Sequence, residues 1–120
     1  MSHKITLEVK VLNPDLFAAI VEQETGLVHL PTTACFWSGL QAPNAVLVMG
    51  RRWGGAGRAM LAVEPDGTLH LDSDYRTAIQ RCLKKYAAAL IVQAASTAGY
   101  PVQQEQRSDG TLILRMAVAR

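Results

Sequence analysis

The segment Gly50-Arg51-Arg52-Trp53-Gly54-Gly55-Ala56-Gly57-Arg58 holds the residue types best suited to chemistry: three arginines within eight positions, interleaved with glycine and one tryptophan. Guanidinium groups are permanently charged and offer planar donors that match carboxylate and phosphate oxygens. Glycines let successive backbone N–H groups turn toward one point. Read as a loop over Gly50 to Gly57, the segment could hold a phosphate or a partner's carboxylate through Arg51, Arg52 and Arg58. Trp53 could stack on a base or fill a partner's pocket. The segment lacks Gly-Lys-Ser/Thr and its glycines open no predicted helix, so it is neither a P-loop nor a dinucleotide fingerprint. Three readings stay open: a solvated hairpin loop with Trp53 folded onto a sheet, a protein contact, and an anion or nucleic-acid site.

Phe36 and Trp37 are the second pointer. Adjacent residues of a strand point to opposite faces, so one can enter the core and the other must be covered by a helix, a loop or another subunit. They sit in a charge-free stretch from Gly26 to Gly50, which marks a candidate partner contact. No catalytic set is visible. His3, His29 and His70 are far apart, Gly-x-Ser-x-Gly is absent around Ser38, and Asp66, Asp72, Asp74 and Asp109 are accounted for by turns and a helix cap. Cys35 would need a histidine base, and nothing in the sequence fixes His29 near it. Cys35 and Cys82 lie in apolar surroundings and read as buried free thiols rather than a disulfide. With no Cys-x-x-Cys, His-Glu-x-x-His or Cys/His cluster, no metal and no cofactor is expected.

The elements that must position these residues follow from periodicity. Lys4 to Leu12 alternates, with Ile5, Leu7, Val9 and Val11 on one face, as a half-buried strand does. Asn13 and Pro14 open a helix that Gly26 ends, over 14–25. One short strand is plausible within Leu27 to Pro43, and Ala45 to Met49 reads as a strand buried on both faces. Ala59–Val63 and Thr68–Leu71 form a hairpin around Asp66-Gly67. Asp72 or Ser73 caps a long helix with an apolar stripe of Tyr75, Ile79, Cys82, Leu83, Tyr86, Leu90 and Ala94, ended by Gly99. A last hairpin joins Val102–Arg107 to Thr111–Val118. Asp66-Gly67-Thr68-Leu69-His70-Leu71 echoes Asp109-Gly110-Thr111-Leu112-Ile113-Leu114, as two good turns do without any duplication.

The expected architecture is α+β: a mostly antiparallel sheet of five to seven strands, with a long C-terminal-half helix and a shorter N-terminal-half helix packed on it. The chain has 120 residues, which suits a single domain over 1–120. With 49% hydrophobic and 18% charged residues it is too apolar for intrinsic disorder. A formal charge of +2 is too small to imply nucleic acid by itself. The longest apolar run, Tyr86 to Val92, is seven residues, whereas a membrane helix needs about 20. No apolar signal core follows Met1-Ser2-His3-Lys4, which gives a cytoplasmic expectation.

Over 75–116, Tyr86-Ala87, Val92, Ala95, Gly99-Tyr100, Val102, Glu105, Asp109-Gly110-Thr111-Leu112 and Leu114 resemble a family of small proteins known as hypothetical chloroplast reading frame thirty-five, also labelled domain of unknown function twelve fifty-seven. The opening Met1-Ser2-His3-Lys4-Ile5-Thr6 looks like the family's start, and Phe36-Trp37-Ser38-Gly39 looks like its Phe-Ser-Gly element with one residue inserted. The family's Trp-Gly segment before the long helix has no clear counterpart here unless Trp53-Gly54 is a displaced version. The resemblance implies an accessory or adaptor role beside a ring-forming ATPase of the AAA class. The expectation is therefore a non-enzymatic interaction protein, homo-oligomeric or an adaptor, with Phe36, Trp37 and Trp53 as contact residues. The alternative is a phosphate, nucleotide or nucleic-acid binding module using the 50–58 segment.

Overall fold

The computed structural model describes residues 4–36, 44–53, 56–100, 102–109 and 111–116. The chain forms two compact units, Met1–Cys82 and Leu83–Arg120. The fold is α+β.

The first unit opens with β1 (Lys4–Lys10), followed by α1 (Pro14–Thr25). The Asn13 side chain accepts from the Leu16 N–H at 3.2 Å, Pro14 starts the first turn, and Gly26 ends the helix at φ 74. Two short strands come next, β2 (Val28–His29) and β3 (Cys35–Phe36), where the sequence suggested one. Then come β4 (Leu47–Trp53), β5 (Ala56–Val63) and β6 (Thr68–Asp72). The sheet order is β1-β6-β5-β4-β2; all these pairs are antiparallel, and β3 joins β5 in parallel. A turn of 3-10 helix, Ser73–Tyr75, leads into α2 (Arg76–Thr97), which begins in the first unit and ends in the second. The Asp72 carboxylate, 1% exposed, accepts from the Asp74 N–H at 3.0 Å and so caps this turn. In the second unit β7 (Val102–Gln106) and β8 (Leu112–Met116) form an antiparallel pair.

Each hairpin-forming Asp-Gly-Thr uses the same device. Asp66 Oδ1 accepts from the Thr68 N–H and Asp109 Oδ1 from the Thr111 N–H, both at 2.9 Å. Glu64 N–H donates to the Thr68 carbonyl and Arg107 N–H to the Thr111 carbonyl, so the echo in sequence is an echo in hydrogen bonding. The N–H of Thr68, with its hydroxyl, holds the Asp66 carboxyl down to about 2, and Thr111 lowers Asp109 in the same way. A depressed folded-state value adds stability that is complete above the ordinary 3.8 and is lost as pH falls through about 2. Asp66→Asn keeps the acceptor oxygen and removes the charge. The wild type is expected to exceed it in urea midpoint at about pH 5, with the gap closing toward about pH 2. A gap that stays constant over that range contradicts the assignment.

Three details depart from the periodicity. The β1–β6 register shifts between Leu7 and Lys10, so Val9 turns out to 39% exposure while Val11 is buried. Lys10 lands beside the turn, its Nζ donating to Thr68 Oγ1 at 2.7 Å and to Asp66 at 3.3 Å. The 45–49 stretch is not buried throughout, since Val46 is exposed ahead of β4. In α2, Ile79, Cys82 and Tyr86 are buried as expected, Cys82 in no disulfide, but Leu90 and Ala94 are exposed and Ala88 and Ala95 are buried. Those two alanines lie seven apart and so share one helix face.

The centre of the first sheet is apolar on both faces. Leu47, Met49, Leu61, Val63, Leu69 and Leu71 alternate onto one face, and α1 packs against β4. The other face carries a cluster of Leu30, Phe36, Ala45, Val48, Ala59 and Ala62. Among the described residues no helix is long and apolar enough to cross a membrane.

Candidate functional site

The arginine segment is a hairpin, not the glycine-rich loop read from the sequence. Gly50 to Trp53 complete β4 and Ala56 to Arg58 open β5, paired Gly50↔Ala59, Arg51↔Arg58, Arg52↔Gly57 and Trp53↔Ala56. The reason lies in packing. A Cβ on Gly50 would stand 1.9 Å from the Arg58 carbonyl oxygen, and one on Gly57 would stand 2.9 Å from Leu30 Cδ2. Neither glycine has positive φ. They are small so that strands and Leu30 can approach closely, not so that their amides can cradle an anion. Gly54 and Gly55 lie outside the described residues.

The ladder sorts the arginines. Arg51 and Arg58 stand directly opposite each other on one face, and Arg52 points to the other face. Like charges in directly opposed positions destabilise a sheet. The Arg51 guanidinium lies 5.7 Å from the centroid of the Tyr75 ring, a cation–π contact. Among the described residues, neither Arg51 nor Arg52 forms an ion pair with a carboxylate.

Arg51 and Arg52 line an open cleft of about 500 Å³ together with Thr25, Gly26, Val28 and Gly50. The opposite wall is the end of α1, which is firmly built. Thr25 Oγ1 donates to the Val21 carbonyl at 2.6 Å and accepts from the Leu27 N–H at 3.1 Å, and the Gly26 N–H donates to the Glu22 carbonyl at 3.0 Å. This wall is the negative end of the helix dipole, and its last turn contains Glu22 and Glu24. The cleft is therefore cationic on its strand side and meets the negative end of a helix dipole on its helix side.

Of the three proposed contact residues, Phe36 is 2% exposed and belongs to the core cluster, so it is the member of the Phe36–Trp37 pair that enters the core. Its ring also lies 5.7 Å from Lys4 Nζ. Trp37 and the Trp53 side chain lie outside the described part of the structure, as does the Cys35 side chain.

One arrangement escaped the sequence. Thr6 and His70 are register partners across β1 and β6, with Thr6 Oγ1 2.7 Å from His70 Nδ1, and His70 Nε2 lies 3.3 Å from Glu64 Oε1. No spacing signals this trio, because strand pairing alone brings positions 6, 64 and 70 together. It ties β1 and β6 to the turn that follows β5 and takes no part in lining the arginine cleft. Among the described residues no three His, Cys, Asp or Glu side chains converge to hold a metal.

No protein-family model matches the chain, and no curated protein and no solved structure matches it.

Proposed function

We propose that this is a non-enzymatic interaction protein whose contact site is the cleft beside β4, where it receives an acidic segment of a protein partner. The single observation that carries the reading is the placement of Arg51 and Arg52 on an open cleft with no ion pair to a described carboxylate. Desolvating an arginine against a matching carboxylate gives a strong, oriented contact. The likeness to the reading-frame family adds a more specific role, an accessory or adaptor subunit of a larger cytoplasmic assembly such as a ring-forming ATPase; self-association is the other form of the same reading.

A phosphate or nucleic-acid module is the second reading, favoured by the two guanidinium groups of Arg51 and Arg52 on one open cleft. The open β4 edge beyond Gly50 speaks for a polypeptide instead, since it offers backbone pairing that a bare phosphate does not use.

The test compares wild type with the double variant Arg51→Glu, Arg52→Glu in capture from host lysate, with the mass of each assembly measured. A partner retained by wild type at low salt and lost by the double variant is expected. Capture of the same proteins by both forms removes the reading. Binding of a random oligonucleotide that falls steeply with salt and vanishes in the double variant replaces it with the second.

A further inference from the structure

We propose that the partner segment binds as an added β-strand, pairing with the outer edge of β4 beyond Gly50. This rests on the reading just given and specifies its mode. β2 is only two residues long and pairs with β4 through His29↔Met49 and Val28↔Gly50, reaching no further along β4 than Gly50. β4 runs on to Trp53, and no described strand pairs with it on that side over Arg51 to Trp53. The chain cannot extend β2 to cover this edge, because at Gly26 it turns through a left-handed residue into α1.

The backbone polarity of the edge follows from one bond. The Leu30 N–H donates to the Val48 carbonyl at 2.9 Å, so Val48 faces the β2 side. In an antiparallel ladder every second residue presents both its N–H and its C=O to the same neighbour. The irregularity after Met49 leaves its unpaired residue, Met60, on β5, so the alternation along β4 carries from Val48 through Gly50 to Arg52. Arg52 thus presents a donor and an acceptor toward the cleft. A cleft of about 500 Å³ is within the usual size of ligand sites, about 300–1,000 Å³.

The side chains define the occupant. Arg51 and Arg52 point to opposite faces, so a strand laid beside them places one residue next to Arg51 and its neighbour next to Arg52. The matching segment is extended and carries two consecutive acidic residues. Main-chain bonds with side-chain selection are the established logic of strand addition.

The probe is a blocked, fluorescein-labelled peptide, Thr-Val-Glu-Glu-Val-Thr, titrated into the full chain. Binding is expected, with amide exchange at Arg52 slowed at least tenfold. Methylating alternate backbone nitrogens of the peptide, which leaves its charge intact, is expected to weaken binding at least tenfold, as is replacing both Glu by Gln. If the methylated peptide binds equally well and Arg52 exchange is unchanged, while the Gln peptide still fails, strand addition is overturned and the arginine cleft stands. If the Glu and Gln peptides behave alike, or neither binds, the acidic-partner reading falls as well. Sedimentation without peptide completes the test: a dimer that already protects the Arg52 amide assigns the edge to a second copy and overturns the proposal.

Discussion

Gly50→Ala is expected to destabilise the protein by about 3 kcal/mol or more, at the upper end of the penalty for overpacking. The added methyl would sit 1.9 Å from the Arg58 carbonyl oxygen and 2.8 Å from both the Arg58 carbonyl carbon and Leu30 Cδ1. Two of those three neighbours are backbone, and they belong to the residue beside Gly50's own register partner, Ala59. Relief therefore requires the β4–β5 ladder itself to open. Gly57→Ala provides the contrast. The three atoms nearest its new methyl all belong to the Leu30 side chain, the closest at 2.9 Å, and a leucine tip can move. A loss of about 1 kcal/mol is expected there. Urea unfolding monitored by circular dichroism, with the slope of the transition unchanged, checks both. Equal midpoints for the two variants would show that the strands are not in the close contact described.

Phe36→Ala is expected to cost about 3–5 kcal/mol, the usual range for emptying a buried phenylalanine site. Phe36 is 2% exposed, and its cluster contains Ala45, Ala59 and Ala62, which have no side-chain length with which to fill the space. Phe36 also anchors β3, a two-residue strand whose described pairing is to Arg58 and Ala59. Losing it loosens the chain before the cleft as well as the core. Phe36→Leu, which retains most of the volume, is expected to lose less than half as much. If instead Phe36→Ala leaves the urea midpoint in place and abolishes partner capture, Phe36 is a contact residue and the packing account is wrong.

The sequence was most legible where the physics is local. Asn13, Pro14 and Gly26 mark both ends of α1, because a cap, a fixed φ and a left-handed stop each need one residue type at one position. The two Asp-Gly-Thr turns were legible for the same reason. Legibility failed where an effect depends on a distant partner. A glycine needed for close approach looks the same in sequence as one needed for a flexible loop, and only Leu30 lying over Gly57 tells them apart. The shift between Leu7 and Lys10 leaves no compositional mark, yet it decides where Val9 points. The three arginines were visible as a group; that the ladder splits Arg52 from the other two was not. The cleft itself combines the end of α1 with the end of β4, and no pattern along the chain links Gly26 to Arg52.

The two margins of the larger sheet are unlike. Along β1, whose one described neighbour is β6, lysines stand at positions 4 and 10 and the pairing loses its regular step after Leu7. Such a margin makes a poor template for another chain's backbone. The far margin is open beyond Val28, where β2 begins, and its own charges, Arg51 and Arg52, repel a second copy of the same edge yet suit an acidic strand. Runaway polymerisation needs two receptive margins on every molecule, one to give and one to take. A sheet with a single receptive side can accept a guest and still not grow into a fibre.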